Sequence, residues 1–114
     1  MNDVEKTLSD EELAMWCSHF DNHDANLTHS NVHQIYGHLR EACPVTRSER
    51  YGGFWVVSRY ADIVTVLMDP VTFSSGKGVH IPRQEGQMHV IPIDFDPPVH
   101  TQYRRIFTEA LAPR

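Results

Sequence analysis

The sequence predicts a mainly α fold with one small β-hairpin, an α+β arrangement. Three observations carry this. Apolar residues recur at helical spacing in 30–42 and again in 97–111. Two short runs, Val45-Thr46-Arg47 and Phe54-Trp55-Val56-Val57, flank the pair Gly52-Gly53. Start and stop signals bracket the helical stretches: Ser9-Asp10-Glu11-Glu12, Asp69-Pro70 and Asp96-Pro97-Pro98.

Taken in order, residues 1–28 read as a loosely attached arm. Within it, Ser9-Asp10-Glu11-Glu12 has the form of a capping box, so a short helix is expected over 10–19. The polar stretch 21–28 reads as loop. The next helix should cover 30–42, with Val32, Ile35, Tyr36 and Leu39 on one face and Pro44 as its stop. The hairpin follows, turned at Gly52-Gly53. Phe54 and Trp55 are expected in the core. Ser58 is placed to cap a helix over 60–68 that buries Ile63, Val66 and Leu67. The β-branched run Ile63-Val64-Thr65-Val66 fits a strand equally well on local propensity. Residues 79–95 form a long irregular stretch broken by Pro82, Gly86 and Pro92, a pattern common in functional loops. The last helix runs 97–111, with Ile106, Phe107 and Ala110 toward the core.

Composition bounds the function. The chain has 114 residues, enough for one small domain. Ten basic and fifteen acidic residues leave a net charge of -5, against the basic face that nucleic-acid binding needs. No apolar run approaches the ~20 residues of a bilayer span, and the acidic start is unlike a signal peptide. A soluble cytoplasmic protein is expected. The two cysteines, Cys17 and Cys43, form no CxxC pair and are expected as free thiols. Of the eight histidines, His29 and His33 stand four apart and would share a helix face, but no third metal ligand follows at a recognisable spacing. No metal site is expected. Gly76-Lys77-Gly78 lacks the ending of a phosphate loop.

The segment 96–105 is the most informative. Asp96 is a good N-cap and Pro97 a good first helical residue. His100 and Arg104, four apart, then lie on one face and offer two nitrogen donors to a carboxylate outside the helix.

In sequence order, four pieces resemble the N-terminal part of a cytochrome P450, a haem-thiolate monooxygenase. Leu39-Arg40-Glu41-Ala42-Cys43-Pro44-Val45 resembles the end of the family's A helix and its entry into the first strand. The run from Gly53 through Trp55-Val56-Val57-Ser58-Arg59-Tyr60 to Ile63 resembles the second strand and the start of the B helix. Asp69-Pro70-Val71-Thr72-Phe73-Ser74-Ser75 resembles the exit from that helix, and 94–114 resembles the C helix. The resemblance implies that 29–114 are the truncated N-terminal part of such a domain, an incomplete fold. It implies that His100 and Arg104 bind a propionate of heme b, and that Met88, His89 and Val90 line the substrate pocket. It further implies a small apolar substrate of terpenoid type, suggested by Ile81-Pro82-Arg83-Gln84-Glu85-Gly86, and a ferredoxin-type redox partner docked with the help of Arg105.

The family's chemistry depends on a thiolate iron ligand in a Phe-x-x-Gly-x-x-x-Cys-x-Gly stretch. That stretch does not occur in these 114 residues, and neither Cys17 nor Cys43 has its context. No catalytic residue is therefore expected in this chain. The alternative is a non-catalytic remnant or small binding protein with no haem chemistry of its own. Either way, the isolated chain is expected to fold poorly.

Overall fold

The computed structural model describes residues 7–113. Its elements are α1 (Asp10–His19), α2 (Val32–Ala42), β1 (Val45–Ser48), a 3-10 turn (Arg50–Gly52), β2 (Phe54–Val57), α3 (Tyr60–Met68) and α4 (Val99–Leu111). Four helices and one two-stranded antiparallel sheet match the expected fold class. The chain divides into two compact units, Met1–Ile63 and Val64–Arg114.

The first unit is built around α2. Ile35 and Leu39, one turn apart, are fully buried there, and Phe20 joins them just after α1. Leu13, Trp16, Leu27, Phe54 and Val56 pack around these three. Helix α1 begins where the capping box places it: Ser9 Oγ accepts from the Glu12 N–H at 3.2 Å, and the Glu12 carboxylate accepts from the Ser9 N–H at 2.8 Å. Its other end is closed by β1. Thr46 Oγ1 donates to the Cys17 carbonyl at 2.6 Å, and the Glu49 N–H donates to the Ser18 carbonyl at 2.8 Å. Buried Ser48 Oγ donates to the Phe20 carbonyl at 2.7 Å. Carbonyls that a helix end leaves without partners are thus satisfied by the neighbouring strand.

In the hairpin Val45 pairs with Val57 and Ser48 with Phe54. The connection is longer than a tight Gly-Gly turn. Tyr51, Gly52 and Gly53 all have positive φ, at 54°, 80° and 98°. The Arg47 guanidinium lies over Gly53, where a Cβ would require that side chain to move aside. The Tyr51 hydroxyl donates to both Asp21 carboxylate oxygens, at 3.0 and 2.8 Å, tying the turn to the loop after α1. That bond raises the Tyr51 pKa. Asp21 is lowered, chiefly by the His23 N–H.

Several expectations change. Cys17 and Cys43 are not free thiols but form a disulfide, because packing of α1 beside α2 brings their Cα atoms to 6.0 Å. Helix α2 starts at Val32, so His29 is off the helix and the His29/His33 face does not form. Strand alternation turns Phe54 and Val56 toward the core and leaves Trp55 68% exposed. Ser58 does not cap α3; its hydroxyl donates to the Pro44 carbonyl. Leu67, Ile106 and Phe107, expected in the core, are exposed, and neither α3 nor α4 buries a residue. Among the described residues no helix is long and apolar enough to cross a membrane.

With so small a core, the first unit depends on its covalent tie. A loop of this length closed by a disulfide is worth roughly 3–4 kcal/mol. In the oxidised 114-residue chain, amide resonances of the first unit should be dispersed while those of α4 stay in a narrow range. Adding dithiothreitol should collapse the first set too. A spectrum unaffected by reductant would show that the bridge contributes nothing.

Candidate functional site

The candidate site lies in the second unit, where a long loop leads into α4. Asp69 closes the preceding helix: its backbone carbonyl accepts from the Phe73 N–H at 2.9 Å, and its carboxylate accepts from the Thr72 N–H at 3.0 Å. The Thr72 side chain and then its N–H lower the Asp69 pKa. The turn Phe73-Ser74-Ser75-Gly76 follows.

Asp96 meets this turn across the loop. One carboxylate oxygen accepts from the Ser74 hydroxyl, and the other accepts from the Ser75 N–H at 2.9 Å. Ser74 Oγ in turn accepts from the Gly76 N–H at 3.0 Å. The Ser74 hydroxyl is the main cause of a lowered Asp96 pKa, followed by the Ser75 N–H. Desolvation opposes them, and the Gly76 N–H and the His100 charge add smaller lowering effects. Asp96 therefore does not act as the expected N-cap. Helix α4 starts at Val99 rather than Pro97, with Pro98 at the cap position and no side-chain cap. The Asp96 backbone still joins the helix, because its carbonyl accepts from the His100 N–H at 3.0 Å.

His100 and Arg104 both fall within α4, one turn apart, as the spacing predicted. His100 is half-buried and Arg104 exposed. Among the described residues neither side chain makes a hydrogen bond or ion pair. Arg105 lies next to Arg104 and pairs with Glu109 at 3.3 Å, in a fully exposed i,i+4 contact of little energetic weight.

The loop carries the expected pocket residues. Met88 and His89 line a cleft of about 460 Å³ together with Lys77, His80, Arg83 and Asp94, and Met88 is its one large apolar side chain. Val90 does not line it; the Val90 N–H donates to the Asp94 carboxylate at 2.7 Å. The other Asp94 oxygen is buried without a protein partner. The rings of His89 and Phe95 lie 5.8 Å apart and those of Phe95 and Tyr103 6.5 Å apart, so an aromatic series joins the loop to α4. Ser74, Asp94 and Phe95 escaped the sequence reading. The one local signal was the pair of acids two residues apart, Asp94 and Asp96.

No family model and no solved structure matches the chain. Curated relatives do. A linalool 8-monooxygenase of Pseudomonas putida is 39% identical over 95 residues, 71% of this chain. A cytochrome P450 of Rhodopseudomonas palustris is 35% identical over 79 residues, 66% of this chain. An erythromycin C-12 hydroxylase of Saccharopolyspora erythraea is 41% identical over 81 residues, 68% of this chain. The chain belongs to the cytochrome P450 family. The matches span 23%, 19% and 19% of those relatives' lengths, so this P450 sequence corresponds to about a fifth of each.

The lowered Asp96 pKa fixes the sign of a pH effect. A carboxylate whose pKa falls on folding stabilises the fold fully above its unfolded pKa, and that stabilisation is lost as pH falls through the folded value. As pH falls, the Ser75 and Gly76 amide shifts should titrate with a midpoint below 3.8, the ordinary aspartate value. A midpoint at or above 3.8 would contradict the geometry.

Proposed function

We propose that this chain is the N-terminal part of a haem-dependent monooxygenase, with residues 29–114 belonging to its P450 domain. In this reading α4 grips a propionate of heme b through His100 and Arg104. The supporting observation is the placement of two nitrogen donors one turn apart on α4, neither side chain making a hydrogen bond or ion pair among the described residues. A carboxylate suits them: the guanidinium fork offers two parallel donors and the imidazole a third. The Asp96 carboxylate spends its hydrogen bonds on Ser74 and Ser75 rather than on either donor.

Bound haem would supply activation of O2 for insertion of one oxygen atom into a small apolar substrate. This chain's residues would hold and orient it. Met88, His89 and Val90 would belong to the pocket wall, Met88 by its apolar side chain and Val90 by fixing the turn at Asp94. The thiolate ligand would come from outside these residues, since neither Cys17 nor Cys43 stands in the sequence context of that ligand. For the chain alone, the lack of that ligand stretch favours the second reading, a binding protein without haem chemistry.

Likeness to a linalool 8-monooxygenase supports a terpenoid substrate, while likeness to an erythromycin hydroxylase weighs the other way. A ferredoxin-type partner fits Arg105, whose exposed pairing with Glu109 is easily exchanged for an acidic contact. A cytoplasmic setting fits the bacterial relatives. There the Cys17–Cys43 pair would meet a reducing thiol pool.

Two measurements test the proposal. In the full-length protein Arg104→Ala should weaken haem retention roughly ten- to a hundredfold, the worth of a charge-assisted hydrogen bond. Unchanged haem content after gel filtration would remove the assignment. The 114-residue chain mixed with haem should give no thiolate-type Soret band in a carbon monoxide difference spectrum; such a band would show a thiolate ligand within it.

A further inference from the structure

We propose that Asp96 is a positioning residue that latches shut the neck of the loop 76–95, and so holds the face bearing Met88 and His89 in fixed register with α4. The consequence for substrate and haem rests on the function proposed above; the latch itself does not.

The loop leaves the chain at Ser75 and returns at Asp96. Without a tie at its neck, a stretch of this length with three glycines and two prolines would sample many arrangements. Asp96 ties it with both carboxylate oxygens, one to the Ser74 hydroxyl and one to the Ser75 N–H. The neck is narrow. A Cβ placed on Gly76 would lie 3.3 Å from both the Asp96 carboxylate and Ser74 Oγ, closer than most such contacts. Two features carry the tie inward. The Gly78 N–H donates to the Ser75 carbonyl at 2.9 Å, turning the outgoing strand of the loop back over the neck. On the returning side, Phe95 stands between the rings of His89 and Tyr103. The Asp96 carbonyl meanwhile accepts from the His100 N–H. One residue therefore joins the start of the loop by its side chain and the first turn of α4 by its backbone. A carboxylate is suited to this, because it accepts two donors at once and each bond is strengthened by the charge.

Hydrogen–deuterium exchange on the full-length protein, read peptide by peptide, tests the latch. Asp96→Ala should accelerate exchange across 76–95 on the order of tenfold, the scale of one lost charge-assisted bond, with rates in α1, α2 and the hairpin unchanged. Ser74→Ala should accelerate the same segment and Ser74→Thr, which keeps the hydroxyl, should restore protection. Ser74→Ala should add little in an Asp96→Ala background, as expected for two ends of one bond. Unchanged loop exchange in Asp96→Ala would overturn the proposal, as would acceleration spread evenly over the chain or fully additive effects. Haem content of the same samples separates the two claims. Arg104→Ala should lose haem and leave the loop's exchange unchanged. A loop that loosens only when haem is lost, and equally in Arg104→Ala and Asp96→Ala, would also overturn the latch.

Discussion

Phe20, Ile35 and Leu39 are the only hydrophobic side chains buried among the described residues, and the rest of the architecture depends on how little that is. A fully buried aliphatic or aromatic side chain contributes roughly 1.5–3 kcal/mol, so three cannot offset the ordering of a chain this long. Partly buried neighbours and polar and covalent ties add to that small core. Cys17, Ser18 and Phe20 each lend a carbonyl to a donor on Thr46, Glu49 or Ser48. The end of α1 is thereby sewn to β1 by groups that would otherwise cost free energy unpaired.

Among the described residues the second unit buries no hydrophobic side chain, and carboxylates hold its turns. Asp69, Asp94 and Asp96 each accept from backbone N–H groups at a place where the chain turns. Such turns suit a loop that must present side chains rather than bury them. The exposed apolar residues of α4, Tyr103, Ile106, Phe107 and Leu111, share this logic. They recur at helical spacing, the pattern of a helix face suited to packing.

The sequence made the elements legible where local rules act alone. The capping box placed α1 to the residue, and the glycine pair marked the hairpin. The i,i+4 spacing put His100 and Arg104 on one helix. Misreadings arose where a residue had two possible partners. Asp96 has the chemistry of an N-cap, yet Ser74, distant in sequence, offers its carboxylate a better arrangement. Ser58 likewise gives its hydroxyl to Pro44. Periodicity also predicts only that a face is apolar, not that something covers it, which is why Leu67 and Ile106 were expected inside. The pairing of Cys17 with Cys43 required the packing of α1 beside α2, which no local pattern encodes.

That bond has a topological side. Joining Cys17 to Cys43 makes the backbone between them a closed ring, and the ring contains the exposed polar stretch around Asn22, His23 and Asn26. A protease that cuts once in this stretch opens the ring without releasing a piece. The nicked molecule keeps the mass of the intact chain plus one water, and migrates as a single species until a reductant separates its two parts.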